Sequence, residues 1–251
     1  MAARTLKLLT VLALVGAAGM AQAQAPNGSK PSWARKGQPL GLDCAEGAQS
    51  SAAAAHGDAW VILECIDEVI LRVLYKKKDG PNLRLDVPWK ELDEGAWRPR
   101  EILWSPDGLA FLINGSGKPG ARTDFQLFRV EQDKLVLEAI SNTARHDMVE
   151  RLARCWPYIR EIAGPEPRFN TFAVGWKDDT LDVVAEVPCD SHYENSMCSV
   201  YGYEMNARTG AISRVLSAAE VNNTWYPDMS WSMAASDLPS CDPRTGKVVD
   251  R

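Results

Sequence analysis

The sequence lacks the motifs by which most hydrolases are recognised. It contains no His-Glu-x-x-His, Gly-x-Ser-x-Gly or Ser-x-x-Lys pattern, which would supply a zinc site or an activated serine. Histidine is scarce, and the three present are His56, His146 and His192. Acid–base chemistry on histidine therefore has few candidates, and no motif ties a nucleophile to any of them.

Long apolar runs and an excess of positive charge are also missing. The main apolar run, Leu8 to Met20, is shorter than the roughly 20 residues that a membrane-spanning helix needs. The 28 Lys and Arg residues are outnumbered by 33 Asp and Glu residues. Nucleic-acid binders and proteins held on anionic lipid are basic, so this balance argues against both classes.

The N-terminus has the pattern of a bacterial secretory signal peptide. Arg4 and Lys7 form a short positive region, Leu8 to Met20 an apolar core, and Ala21-Gln22-Ala23 a cleavage site. We therefore expect residues 1–23 to be removed and the mature chain to be periplasmic or secreted, with no membrane anchor. Without Arg4 and Lys7 the chain carries 26 basic and 33 acidic residues, a net charge of −7.

Six cysteines follow the expected cleavage site. An even number in an exported chain predicts two or three disulfides, although six cysteines allow about 15 pairings. Cys189 and Cys198 are spaced to close a loop between two strands, which makes them the clearest pair. The disulfide candidates are Cys44, Cys65, Cys155, Cys189, Cys198 and Cys241.

The segment from Cys189 to Cys198 has a second interpretation. Cys189, His192 and Cys198 could be zinc ligands. A deaminase also uses His-x-Glu, here His192 and Glu194, but its Pro-Cys-x-x-Cys follows that pair, whereas Pro188-Cys189 precedes it. Because an oxidising compartment favours the disulfide, we predict no metal site and no cofactor.

Composition divides the mature chain into a lead-in and one domain. Residues 24–40 are rich in Pro, Gly, Ser and Ala and are predicted to be disordered, whereas residues 41–251 are predicted to form a single mainly β domain. Ala45 to Gly57 is either a short helix or a loop. An apolar stripe predicts one inserted amphipathic helix over Thr143–Ile162, and the capping box Ser217–Glu220 predicts a short C-terminal helix.

The rest of the domain alternates apolar and polar residues or has short apolar runs bounded by turns, as antiparallel strands do. Two Arg-Thr-Gly sequences, Arg208–Gly210 and Arg244–Gly246, each precede a β-prone run and favour hairpin turns. The predicted strands are two within Trp60–Tyr75, broken near Ile66–Glu68, and then Leu83–Val87, Ile102–Trp104, Leu109–Ile113, Phe125–Val130, Leu135–Ile140, Phe172–Trp176, Leu181–Val187, Val200–Asn206 and Ala211–Leu216.

One turn has a distinctive sequence, Trp104-Ser105-Pro106-Asp107-Gly108, between two predicted strands. Pro106 favours a turn, Gly108 suits its left-handed position, and Asp107 can bond to the local backbone. The segment resembles the WSPDG turn of TolB-like β-propeller blades, and Gly175–Asp179 is a weaker copy. The resemblance implies a structural turn in a blade-like sheet. Three blade-like units are fewer than the four to eight of a closed propeller, so a partial or rolled propeller-like assembly is expected.

Three other patterns have a functional and a structural interpretation. Gly115–Gly120 has the letters of a dinucleotide loop, but it leads into a predicted strand instead of a helix, which favours a hairpin loop. His146-Asp147 could be a base and its orienting acid, or two solvated helix residues. Asp178-Asp179 could be an acid pair, but adjacent residues of a strand point to opposite faces, so a turn is favoured.

These observations favour an exported, non-enzymatic protein-binding module, an inhibitor or immunity-type protein that acts on an envelope enzyme or toxin. Aromatic residues are enriched at interfaces, so the tail residues Trp225, Tyr226 and Trp231 are the candidate partner contacts. One alternative is a TolB-like envelope scaffold. Another is a hydrolase whose site is assembled from His146, His192 and scattered acids.

Overall fold

A computed structural model describes most of the predicted domain and little of the chain before it. The described residues are 34, 36–40, 42, 48–66, 70–80, 82–88, 98–116, 123–163, 169–187, 199–225 and 240–249. The predicted signal peptide, Cys44 and the segment from Cys189 to Cys198 lie outside them.

Three consecutive antiparallel sheets form the domain, each a meander with its strands in chain order. The first sheet contains β2 (Gln49–Ala53), β3 (Ala59–Ile66), β4 (Ile70–Lys77) and β5 (Asn82–Pro88). The middle sheet contains β6 (Arg98–Trp104), β7 (Ala110–Ser116), β8 (Thr123–Glu131) and β9 (Lys134–Glu138), with β1 (Gln38–Pro39) paired to β6. The third sheet contains β10 (Asn170–Lys177), β11 (Thr180–Glu186), β12 (Val200–Asn206) and β13 (Ile212–Leu216). The predicted mainly β fold of antiparallel, blade-like sheets is confirmed.

Three helices and a short hairpin complete the described chain. The helices are α1 (Ser141–Cys155) and α2 (Ile159–Ala163), between the middle and third sheets, and α3 (Ala218–Thr224), after the third sheet. The hairpin pairs β14 (Ser240–Cys241) with β15 (Val248–Val249). None of the described helices has the length and apolar character needed to cross a membrane.

The sheets are stacked, and the middle one is buried on both faces. Phe111 and Phe128 stack with their ring centroids 5.1 Å apart in a core shared with the first sheet. Leu112 and Phe125 point the other way, into a core shared with the third sheet and α1. A strand covered on both faces has no need to alternate, which explains the continuous apolar run Ala110–Ile113 in β7.

The predicted amphipathic helix is wrong in one respect, because it is interrupted. The structure ends α1 at Cys155 and begins α2 at Ile159, where a single helix over Thr143–Ile162 was expected. Pro157 lies in the gap, and proline has no amide hydrogen to donate within a helix.

Two predictions for the N-terminal part of the domain are also corrected. Ala45–Gly57 was expected to be a helix or a loop, yet it contains β2, whose Ser50 and Ala52 pair with Leu63 and Val61 of β3. Residues 24–40 were expected to be disordered, yet the described end of this segment includes β1 and the buried Leu40. Strand pairing and burial override the low apolar content in both places.

The predicted short C-terminal helix and its capping box are confirmed in α3. The Ser217 hydroxyl accepts a hydrogen bond from the Glu220 backbone N–H at 3.4 Å, and the Glu220 carboxylate accepts one from the Ser217 N–H at 2.8 Å. Two amide hydrogens at the helix start are thereby satisfied.

A disulfide joins α1 to the C-terminal hairpin. Cys155 is bonded to Cys241, which is 86 residues away in the sequence. Cys65 is also disulfide-bonded, so none of the three described cysteines is a free thiol. The predicted pair Cys189–Cys198 lies outside the described residues.

A row of charges crosses the face of the first sheet that points away from the middle sheet. Arg72 of β4 lies between Glu64 of β3, at 3.4 Å, and Asp86 of β5, at 3.0 Å. Arg84 also contacts the Asp86 carboxylate. Hydrogen bonds from Arg84 and then Arg72 lower the pKa of Asp86 from 3.8 to about 2.

This pKa predicts an acid-dependent loss of stability. Because the pKa of Asp86 is lower in the folded state, the carboxylate stabilises the fold above about pH 4, and that contribution is lost as the pH falls towards 2. The Asp86 carboxylate should contribute less than about 1 kcal/mol to stability, since it is partly exposed to solvent. NMR titration of the Asp86 carboxyl measures the pKa, and Arg84→Ala should return it towards 3.8. An Asp86 pKa near 3.8 in the folded wild-type chain would contradict the prediction.

Candidate functional site

A cleft lies between the middle and third sheets, at the end where their hairpin turns emerge. It has a volume of about 720 Å³. Four turns form its rim, two from each sheet. They are the turns β6–β7 (residues 105–109), β8–β9 (132–133), β10–β11 (178–179) and β12–β13 (207–211).

The β6–β7 turn is the segment that resembles the WSPDG turn, and its side chains fix its shape. The Ser105 hydroxyl donates to Asp107 Oδ1 at 2.6 Å and accepts from the Ala110 N–H at 2.9 Å. Asp107 Oδ1 also accepts from the Leu109 N–H at 2.9 Å, and Gly108 has a φ of +69°. Burial raises the pKa of Asp107, but these hydrogen bonds outweigh it, so the net pKa lies below the usual value.

The same turn is held from behind by the first sheet. The Tyr75 hydroxyl donates to the Gly108 carbonyl at 3.2 Å, and His56 Nε2 lies 3.1 Å from the Pro106 carbonyl oxygen. The ring of Trp104 packs against Phe111, with centroids 5.2 Å apart. This turn therefore contacts the first sheet on its inner side and lines the cleft on its outer side.

The opposite wall is the β10–β11 turn, the weaker copy of the motif. The indole N–H of Trp176 donates to the Asp178 carbonyl at 2.9 Å, which orients the half-buried ring. Asp178 has a φ of +51°, in the left-handed region that non-glycine residues seldom occupy. The Asp179 carbonyl accepts from the Ala207 N–H at 2.7 Å and joins this turn to the β12–β13 turn. Asp178 and Asp179 thus lie in a turn at the cleft.

Arg129 of β8 spans the floor of the cleft. Its Nη2 donates to the Ala207 carbonyl at 2.6 Å, which links the middle and third sheets. Its Nε lies 3.8 Å from carboxylate oxygens of Glu131 and Glu138. The Arg129 charge is therefore offset within the protein.

The two Arg-Thr-Gly sequences form the same hairpin turn. In Asn206–Gly210, the Oδ1 of the first residue accepts from the backbone N–H groups two and three residues later, at 3.0 and 2.8 Å. In Asp242–Gly246 the corresponding distances are 2.9 and 2.7 Å. Both end on a glycine of positive φ, 68° and 64°. The first of these turns contributes Ala207 and Arg208 to the cleft.

The described candidates for acid–base chemistry are dispersed. His146 is exposed on α1, and the neighbouring Asp147 is paired with Arg151 one turn along the helix. His56 lies in the turn between β2 and β3 and contacts the β6–β7 turn, in another part of the fold. His192 and residues 117–120 lie outside the described residues.

The predicted partner contact at Trp225 is wrong. Trp225 is only 4% exposed and packs, with Val221 of α3, on the outer face of the third sheet. A Cβ at Gly202 of β12 would lie 2.7 Å from the Trp225 ring, so the ring rests directly on the sheet backbone. Tyr226 and Trp231 lie outside the described residues.

Sequence reasoning missed Arg129 and the half-buried aromatic residue at the cleft, Trp176. No local signal marks Arg129, because its importance depends on the approach of the third sheet. Trp176 could have been found from the weaker copy of the motif, Gly175–Asp179. Equivalent turns of two stacked sheets lie at the same end of the stack, so this copy would be expected near the β6–β7 turn.

In the described part of the chain, His, Cys, Asp and Glu side chains do not come together in any group of three that could hold a metal ion. Comparison of the chain with protein-family models, with curated proteins and with solved structures found no match.

Proposed function

We propose that this chain is an exported, non-enzymatic module that binds one envelope enzyme or toxin and blocks it, as an inhibitor or immunity-type protein does. The observation that carries the proposal is the cleft between the middle and third sheets. The Cys155–Cys241 disulfide supports the proposal that the chain is exported, because disulfides persist in oxidising compartments.

The rim of the cleft is preorganised for binding. Ser105 and Asp107 fix one turn, and Asn206 fixes another, through side-chain bonds to the backbone. A rim that is ordered before binding loses little conformational entropy when a partner docks. Rigid turns of this kind suit tight capture of one partner.

The walls combine charges of both signs with one aromatic ring. Asp178 and Asp179 stand on one side, and Lys134 and Arg208 also face the cleft. None of the ion pairs found between described residues involves any of these four side chains. Free charges of both signs select a complementary partner surface, and Trp176 is suited to be the anchor.

The test is affinity capture from native envelope extract with the tagged mature chain. Wild type is compared with Trp176→Ala, with Arg208→Glu and with the control Arg160→Ala, whose side chain is 57% exposed on α2. We expect one stoichiometric partner that the control retains, with affinity reduced about 30-fold by Trp176→Ala, as for a binding hot spot. Arg208→Glu alters only an exposed turn, so it reports on the cleft even if Trp176→Ala unfolds.

The outcomes separate the alternatives. Capture of one hydrolase or toxin that depends on the cleft supports the inhibitor. Several weakly held envelope proteins favour the TolB-like scaffold, which the resemblance of the β6–β7 turn supports. A partner that binds all variants equally opposes a role for the cleft, and the absence of any partner returns attention to the hydrolase alternative.

A further inference from the structure

The first sheet has an apolar outer face that no described helix or sheet covers. Alternation along β3 and β4 turns Leu63 and Val73 inward and leaves the intervening side chains half-exposed on the other face. The corresponding face of the third sheet is covered by α3. The large apolar side chains of the outer face are Trp60, Ile62, Ile66, Ile70 and Leu74.

Strand register arranges this outer face in rows. Ile62 is paired with Leu74, and Ile66 with Ile70. Between these two apolar rows lies the charged row of Glu64, Arg72 and Asp86, in which each carboxylate contacts an arginine. With Arg84 at the next pair position of β5, these charges are two positive and two negative. Lys76, which is paired with Trp60 at the end of the face, adds one positive charge.

The pattern is complementary to itself. A two-fold axis parallel to the strands, between β3 and β4, lays β3 of one copy over β4 of another and keeps every row at the same height. Glu64 then faces Arg72 of the second copy, and Ile62 faces Leu74 of the second copy. Stacked sheets pack in this aligned way about 10 Å apart. We propose that the outer face of the first sheet packs on the same face of a second copy, giving a symmetric homodimer.

The size of the face indicates how tight this dimer is. The four strands are five, eight, eight and seven residues long. At about 3.3 Å per residue and about 4.8 Å between strands they cover about 440 Å² per copy, below the about 800 Å² of a standard interface. Desolvation of the charged row also costs free energy. The dimer should therefore dissociate in the micromolar range. It leaves the cleft open, because the cleft lies between the other two sheets.

The experiment is sedimentation equilibrium of the mature chain from about 1 to 300 µM, a range that spans micromolar dissociation. We expect the mass to rise towards twice that of the monomer. Ile62→Glu should raise the dissociation constant at least 30-fold, because it buries an unpaired charge. The matched control is Leu109→Glu, at an apolar residue 39% exposed outside the face, and it should dimerise as wild type does. Circular dichroism confirms that each variant is folded.

A charge exchange tests the pairing itself. Glu64→Arg alone and Arg72→Glu alone each place like charges opposite one another and should dimerise poorly. An equimolar mixture of the two variants should form heterodimers, because every facing pair then has opposite charges. The proposal is overturned if the wild-type chain stays monomeric at about 300 µM, because a dimer with a micromolar dissociation constant would be formed at that concentration. A dimer that Ile62→Glu leaves intact, or a mixture that forms no heterodimer, also overturns it.

Discussion

Replacing Arg145 by Ala is expected to lower the free energy of unfolding by about 3–5 kcal/mol, the cost of leaving a buried charge without its partner. Arg145 of α1 is 1% exposed, and its Nη2 lies 2.6 Å from Asp124 Oδ1 of β8. It also donates to the Phe169 carbonyl and to the Thr171 hydroxyl of β10, at 3.0 and 2.9 Å. One side chain therefore holds the helix to both the middle and third sheets. Urea denaturation of the purified chain measures the loss.

Two further variants show that burial is the reason. Arg160→Ala removes an ion pair with Glu150 in which both side chains are more than half exposed, and it should cost much less stability than Arg145→Ala. Replacing both buried partners, with Arg145→Met and Asp124→Leu, should recover much of the loss, because neither charge is then stranded. Equal effects of Arg145→Ala and Arg160→Ala would contradict this account.

Trp225→Ala is expected to destabilise the chain by a similar amount, about 3–5 kcal/mol, because it removes a large buried ring from the outer face of the third sheet. The ring covers Phe172, Val174 and Val184 together with α3. Thermal and urea unfolding measure the loss. A variant as stable as wild type would mean that the ring is not packed on the sheet.

Gly202→Ala provides the matched test of the same contact. Its new Cβ would meet Val221 at 2.6 Å and the Trp225 ring at 2.7 Å, so overpacking should cost about 1–3 kcal/mol. In the Trp225→Ala background half of that clash is gone, and Gly202→Ala should cost less. A double-mutant cycle measures this coupling, and additive losses would contradict direct contact.

The strands could be predicted because their signals are local. Val200–Asn206 coincides with β12, and the capping box at Ser217 marks the start of α3, since both depend on neighbouring residues. β2 was missed because Gln49–Ala53 has little apolar character, and it becomes a strand only by pairing with β3. Pro157 could have indicated the break between α1 and α2. One long helix was predicted instead because the apolar stripe continues past the proline.

The site was less predictable than the fold. The turns at Trp104–Gly108 and Asp178-Asp179 could each be recognised, but their meeting at one cleft depends on how two sheets stack. Trp225 was predicted to be a partner contact because the sequence of a turn-rich segment does not show whether the side chain of an aromatic residue is exposed or buried. The glycine that receives it, Gly202, lies 23 positions earlier, and only the fold of α3 onto the sheet brings the two together.

The length of helix α1 sets the distance between the two Arg-Thr-Gly turns. A Cβ at Gly210 would lie 3.3 Å from Ile140, just before the start of the helix, and one at Gly246 would lie 2.8 Å from Arg154 near its end. The two equivalent turns thus contact residues 14 positions apart along the chain, about 21 Å at 1.5 Å per residue. Inserting one residue would shift one turn by about 1.5 Å and rotate its contact by about 100°. The exposed side of α1 can vary in sequence, but its length is constrained at both ends.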